Sequence, residues 1–218
     1  MESMPRVRSH ARRLCLFVLL AGLCAGVGAQ SLPRPAEFYF DEDSGARPFV
    51  AIQGNDDATV AQLVRMMDRG GRQADQAVPQ LAHLSMAAGR TETGMALYAQ
   101  ALAASSEGSQ RHRSLQWNQA WDLYRAGDVE SALSLWVQAS SNRVVKPSWA
   151  PPTLALALWK LGRREEAVAW YAAAIRTWPD RWTNPAALAG LLPDWREDDR
   201  ATLVEVLAAW DEDPPAWP

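Results

Sequence analysis

The sequence has 218 residues, a formal net charge of −3 and 48% hydrophobic residues, with 11 tryptophans and 2 cysteines. This mildly acidic balance does not favour binding to nucleic acid or to anionic membranes, because both attract basic surfaces. The length suits one extended helical domain rather than two globular ones.

The first 29 residues have the features of a signal peptide. Four arginines precede an apolar or small-residue stretch from Leu14 to Ala29, and Val27-Gly28-Ala29 offers a small-residue cleavage pattern. The stretch is shorter than the roughly 20 residues that span a bilayer. Cleavage near Ala29 leaves a mature chain from Gln30 without cysteine, and the loss of four Arg and one Glu moves its net charge from −3 to −6. We therefore expect an exported, periplasmic protein with no membrane span, no disulfide and no cysteine metal site.

Residues 30–57 are predicted to form an extended N-terminal arm. The segment carries the aromatic patch Phe38-Tyr39-Phe40, and the alternation at 47–52 indicates an extended backbone. The acidic run 41–45 is interpreted as a turn, because Ile52 stands where a calcium loop needs a bidentate acid. Two roles remain open for the arm: its aromatic side chains dock on the first helix, or they form a short motif that binds a partner.

Helical periodicity begins near Asp57 and continues to Gly70-Gly71. Four pairs of helices are predicted after it, followed by an irregular tail at 213–218. The pairs cover 76–88 with 91–105, 112–126 with 128–140, 151–161 with 164–177, and 184–192 with 197–210. The helical domain is thus predicted to span residues 58–212.

The third pair has a regular spacing of small and aromatic residues. Counted from Gly162, Ala167 follows at five residues, Tyr171 at nine, Ala174 at twelve and Pro179 at seventeen. Glycine permits a tight turn, and proline ends the second helix. Alanines seven apart share one helix face and let the partner helix approach closely, with the aromatic ring between them. The spacing predicts a helix–turn–helix unit.

The same spacing recurs from two earlier glycines. The first copy has Gly89, Gly94, Tyr98, Ala101 and Ser106 in the five positions, and the second has Gly127, Ala132, Trp136, Ala139 and Val144. A degenerate fourth copy has Ala201 and Ala208 in the small positions, with Glu205 in the aromatic one. Three copies in phase indicate a repeat protein rather than one alanine-rich helix.

This pattern resembles the tetratricopeptide repeat, which has the same order of Ala, aromatic, Ala and Pro. The resemblance covers repeats at about 76–106, 112–144 and 148–179, with the degenerate copy at 184–210. It implies an all-α fold, a right-handed solenoid of helical hairpins with an irregular N-terminal arm. In this family the first helix of each pair lines a concave groove.

The resemblance assigns an aromatic surface to that groove. Its candidate residues for binding a peptide or protein are Trp117, Trp121, Tyr124, Trp149, Pro152, Leu156 and Trp159. Flat rings supply a large contact area at small entropic cost, which suits an extended proline-containing or apolar segment. The alternative is that these rings pack between repeats, or beneath the arm or the tail.

The sequence contains no recognisable catalytic constellation. His83 and His112 fall on different predicted helices without a carboxylate at ligand spacing, and no nucleophile elbow or phosphate loop is present. We therefore expect a non-enzymatic scaffold, without cofactor or metal, that binds a protein or extended peptide of the cell envelope. Two alternatives stay open: a structural subunit that uses the Trp-rich half as an oligomer interface, and a glycan-binding or carbohydrate-active protein.

Overall fold

The computed structural model describes residues 32, 35, 40–141, 143 and 145–216. Helices make up most of these residues. The all-α prediction is confirmed at this level, since the described strands are only two residues long. The predicted signal peptide, the aromatic residues Phe38 and Tyr39, Val144 and the last two residues of the tail lie outside the described residues. Within the described ranges, no helix combines the length and the apolarity that crossing a bilayer requires.

The helices follow one another along the chain and pack mainly on their neighbours. The first five are α1 (Asp57–Arg69), α2 (Gly71–Ala87), α3 (Thr91–Ala103), α4 (Gln110–Ala126) and α5 (Val129–Ser140). The others are α6 (Ala150–Lys160), α7 (Arg164–Thr177), α8 (Pro179–Trp182), α9 (Leu188–Leu191) and α10 (Glu197–Glu212), with a 3-10 turn at Pro185–Ala187. The closest packing joins α1 to α2, α2 to α3, α4 to α5 and α6 to α7, while α10 packs on α6 and α7.

Three of these helix pairs are joined by the same glycine turn. Gly89, Gly127 and Gly162 have φ angles of 74°, 95° and 75°, a left-handed conformation that L side chains rarely adopt. After each glycine, the next backbone N–H donates to the carbonyl five residues earlier, as Arg163 does to Leu158 at 2.9 Å. This closes the end of the first helix and satisfies its last carbonyls.

The positions that the spacing assigns to packing are buried in all three pairs. Tyr98, Trp136 and Tyr171, the aromatic residues nine after each glycine, are 0% exposed. Gly94 shows how close the helices come, because an added Cβ would lie 3.0 Å from the carbonyl oxygen of Ala82 on α2. The small residues are therefore required where the two helices of a pair cross.

Enlarging a small residue at these crossings is expected to destabilise the protein. Ala132 and Ala167 are both 0% exposed, so Ala132→Leu and Ala167→Leu should each lower the free energy of unfolding by about 1–3 kcal/mol through overpacking. Ala96→Leu is the matched control, because Ala96 is an exposed helical alanine. Chemical denaturation measures all three, and equal stability of the three variants would mean that the repeat phase is misassigned.

The fourth pair differs from its prediction. The segment 184–192 forms a 3-10 turn and the short α9 instead of one helix. Leu192 leaves the helical region, with φ −129° and ψ 58°, because a residue before proline is disfavoured there and Pro193 follows. On α10, Ala201 and Ala208 are exposed, so the positions assigned to the degenerate copy were wrong. The buried face of α10 is formed by Asp199, Thr202, Leu203, Val206 and Leu207.

The described part of the arm is tied to the helices by strand pairing and side-chain bonds. Strand β1 (Phe40–Asp41) pairs in parallel with β2 (Lys146–Pro147), with Phe40 opposite Lys146. Asp43 accepts from Arg143 at 2.7 Å and from the indole Nε1 of Trp149 at 3.3 Å. These contacts hold the arm beside the segment that leads into α6.

A second anchor lies further along the arm. The backbone N–H groups of Ala51 and Ile52 donate to Oε1 of Gln80 at 2.7 and 3.2 Å, and Gln80 Nε2 donates to the Ile52 carbonyl at 2.7 Å. Phe49 packs beside Val78 and Leu115. Phe49 thus docks between α2 and α4, while the role of the aromatic patch 38–40 stays open, because its side chains lie outside the described ones.

Candidate functional site

A cavity of about 270 Å³ opens between four parts of the described chain. One wall is α4, and α2 contributes His83. The arm supplies Ala46, Arg47 and Pro48, and the end of α9 with the turn after it supplies residues 191–195. Segments that are distant in the sequence thus surround one space, which we call the cavity.

The α4 wall is a single stripe along the helix. Its members are Trp117, Asn118, Trp121, Asp122 and Arg125. Their separations of three and four residues place them on one helix face. The stripe therefore presents two indole rings, one amide, one carboxylate and one guanidinium to the cavity.

The two loop walls are held to the helices by hydrogen bonds. Asn118 Nδ2 donates to the Arg47 carbonyl at 3.0 Å and to the Ser114 carbonyl at 2.8 Å. The Arg200 guanidinium donates to the Leu192 carbonyl at 3.2 Å and to the Trp195 carbonyl. Both loops thus have defined positions around the cavity.

Trp121 lies at the centre of an aromatic cluster. Its ring meets Trp117, Trp195, Tyr124 and Trp136 with centroid separations of 6.1, 5.0, 5.8 and 4.9 Å, all near edge-to-face. Only 5% of Trp121 is exposed. Its neighbours cover its faces, so Trp121 supports the cavity wall more than it offers a flat stacking platform.

Two indole N–H groups beside the cavity have no acceptor within the described chain. They are Nε1 of Trp117 and Nε1 of Trp121, and both atoms are buried. Buried polar groups are satisfied in the great majority of cases. The indole N–H of Trp136, which is 0% exposed and does not line the cavity, is also unsatisfied, so this feature is not confined to the cavity wall.

A polar network runs from the cavity into the core. Asp122, which is 4% exposed, accepts from the Tyr98 hydroxyl through Oδ2 at 2.6 Å, and its Oδ1 lies 2.7 Å from His83 Nδ1. Burial first, and then the charge of Asp122, raises the pKa of Tyr98 well above its usual value, so the phenol keeps its proton and donates. A carboxylate only accepts, so His83 Nδ1 carries a hydrogen and its Nε2 is left for other partners. The imidazole side chain is 44% exposed.

The seven residues predicted to form one groove lie in four different environments. Trp117 and Trp121 line the cavity. Tyr124 and Trp159 face α10: the Tyr124 hydroxyl donates to Asp199 Oδ1 at 2.9 Å, and Trp159 Nε1 donates to Glu205 Oε2 at 2.8 Å. Much of the predicted groove is therefore covered by the chain itself.

The remaining three predicted residues are held by the arm or the core. Trp149 donates to Asp43 on the arm. Pro152 and Leu156 belong to the buried face of α6, and Leu156 is 0% exposed. Pro152 and Leu156 are therefore core residues and do not form a ligand-contacting surface, since residues 150–158 of α6 are all buried.

Several residues of the cavity were not predicted from the sequence. His83 was not connected to a carboxylate, because Asp122 follows it by 39 residues. The glycine spacing could have indicated that His83 and Asp122 are close in space. His83 lies six residues before Gly89, and Trp121, which precedes Asp122, lies six residues before Gly127. Equivalent positions of successive repeats lie side by side when their first helices pack, as α2 and α4 do.

No family model, curated protein or solved structure matches this chain. The described residues contain no group of three or more histidine, cysteine or acidic side chains able to hold a metal ion. The described side chains around the cavity supply oriented polar groups, aromatic walls and two arginines.

Proposed function

We propose that the protein is an exported helical-repeat scaffold of the tetratricopeptide type, a right-handed solenoid that binds another envelope protein or an extended peptide without catalysing a reaction. In this proposal the signal peptide is cleaved near Ala29, and the mature chain acts in the periplasm. Binding takes place at the cavity, where Trp117 and Trp195 are half-buried.

One observation carries this proposal. Of the aromatic groove positions predicted on α4, Trp117 and Trp121 line the cavity, whereas the Tyr124 hydroxyl is bound to Asp199 of α10. The cavity combines aromatic side chains with a few convergent polar groups, which is the usual composition of a binding site. A volume of about 270 Å³ fits one or two side chains of a partner rather than a folded surface.

The oligomer alternative has less support. The exposed large hydrophobic side chains of the described chain are Val50, Val64, Val145 and Val204. They are scattered, and none is a tryptophan, whereas an obligate interface needs a contiguous apolar patch. The described tryptophans are buried or half-buried within one chain.

Filling the cavity should abolish partner binding without unfolding the protein. Ala46 is half-buried and lines the cavity, so Ala46→Trp adds bulk there and removes no core contact. Ala96→Trp is the control, because Ala96 is exposed and does not line the cavity. Affinity capture from the native envelope should lose, in Ala46→Trp alone, a partner that wild type and Ala96→Trp retain.

Thermal melts of both variants must match wild type for this comparison to be valid. A partner that Ala46→Trp still captures at wild-type yield would place the binding surface elsewhere. A reversible, concentration-dependent dimer in sedimentation, lost in Ala46→Trp, would favour the oligomer alternative.

A further inference from the structure

Two arginines at the cavity have no acidic partner. Arg47 is on the arm and Arg125 is in the last turn of α4. Within the described chain neither guanidinium forms an ion pair, whereas Arg111, Arg143 and Arg163 each pair with a carboxylate. Arg125 lies over the Trp121 ring, with its guanidinium carbon 5.5 Å from the ring centroid, which limits where this charge can move.

The acidic residues at the cavity do not neutralise these arginines by contact. Both oxygens of Asp122 are occupied, one by the Tyr98 hydroxyl and one by His83. Asp194 is exposed in the turn after α9 and forms no ion pair with either arginine. The unpaired cationic donors at the cavity are thus the two guanidinium groups, which form strong charge-assisted hydrogen bonds to oxyanions.

We infer that the cavity recognises an organic carboxylate carried beside an aromatic or apolar group. The carboxylate binds between Arg47 and Arg125, and the apolar group packs against Trp117 and Trp195. The inference rests on the proposed function, since the carboxylate is then part of the partner's bound segment. It can come from an acidic side chain or from a chain terminus.

A cation is the less favourable ligand on the same observations. An aromatic-lined site can bind an ammonium group, but here an ammonium would meet two guanidinium groups. Asp122, which is buried, already accepts from Tyr98 and His83, so the exposed Asp194 is the one unpaired acid that the described lining offers to a cation. The choice between anion and cation can therefore be measured with small probes.

The test uses four small-molecule probes. The protein is expressed at full length in its native cell, so that it carries whatever processing takes place there. N-acetylphenylalanine presents a terminal carboxylate, and N-acetyl-Glu-Phe-amide presents a side-chain carboxylate beside the same ring. N-acetylphenylalanine amide is the neutral probe and phenethylamine is the cationic one. Titrations are followed by the indole N–H signals in NMR spectra, which report on the cavity directly.

We expect one or both carboxylate probes to bind about tenfold more tightly than the neutral amide, as a charge-assisted contact allows. In Arg125→Gln and in Arg47→Gln, the affinities for the carboxylate probe and the neutral amide should become nearly equal. Arg69→Gln is the matched control for Arg125, because Arg69 is also an exposed arginine in the last turn of a helix but does not line the cavity. The preferred carboxylate probe identifies the source of the anion.

Equal affinities for the charged and neutral probes, or tighter binding of phenethylamine, would overturn the inference. Retention of the full ratio in both Arg47→Gln and Arg125→Gln would overturn it as well. These outcomes can be told apart from failure of the proposed function. The carboxylate probes can show no preference while the Ala46→Trp variant still loses a protein partner. Conversely, the carboxylate probes can bind more tightly than the neutral amide when no protein partner is captured.

Discussion

Replacing Trp121 by alanine is expected to lower the free energy of unfolding by about 3–5 kcal/mol, the usual cost of truncating a buried tryptophan. Trp121 is 5% exposed and contacts four other aromatic rings. Trp159→Ala is the comparison, because Trp159 is only half-buried on α6 and meets Glu205 of α10 and Arg164. Its loss should cost clearly less.

Thermal and chemical denaturation of the two variants measure this difference. A Trp121→Ala protein with the stability of wild type would show that the ring is not part of the core. Because a large loss is expected, binding by Trp121→Ala cannot be interpreted alone, and the cavity is better tested by variants that keep the aromatic cluster intact.

The second large effect is expected at Asp122. Asp122→Ala removes two hydrogen bonds and leaves the Tyr98 hydroxyl, on a side chain that is 0% exposed, without its acceptor. Hydrogen bonds to charged groups contribute about 1.5–3 kcal/mol, and an orphaned buried donor adds to the loss. We expect the free energy of unfolding to fall by about 3 kcal/mol.

A double-mutant cycle with Tyr98→Phe isolates the shared contact. Phenylalanine keeps the buried ring and removes only the hydroxyl, so the double variant should be less destabilised than the two single effects combined. Strict additivity would mean that Tyr98 and Asp122 do not interact in solution. His83→Gln, at a half-exposed position, should change stability much less than Asp122→Ala.

Local patterns in the sequence were sufficient to predict the three regular helix pairs. A glycine turn, an aromatic residue nine positions on and small residues at five and twelve depend on contacts inside one hairpin, and these positions are buried in the structure. The fourth pair failed for a local reason too: Pro193 prevents Leu192 from extending a helix. Its alanine spacing was accidental, since Ala201 and Ala208 are exposed.

The candidate site depended on contacts between distant segments, which spacing does not encode. The spacing of four residues between Trp117 and Trp121 was enough to predict that they share one face of α4, where both line the cavity. It could not show that Asp199 and Glu205 of α10 would cover Tyr124 and Trp159, because α10 does not follow the repeat. The position of Arg47 at the cavity could not be predicted either, because it depends on how the arm packs against α4, where Asn118 donates to the Arg47 carbonyl.

Site-specific photo-crosslinking is the most direct test of binding at the cavity. A photoreactive phenylalanine is placed at Pro48, an exposed residue that lines the cavity, and at Val64, an exposed residue of α1 outside it. In the native envelope, Pro48 should give one discrete adduct with a partner polypeptide, which the Ala46→Trp background removes, and Val64 should give none. An adduct from Val64 but not from Pro48, or a Pro48 adduct that persists with Ala46→Trp, would contradict binding at the cavity.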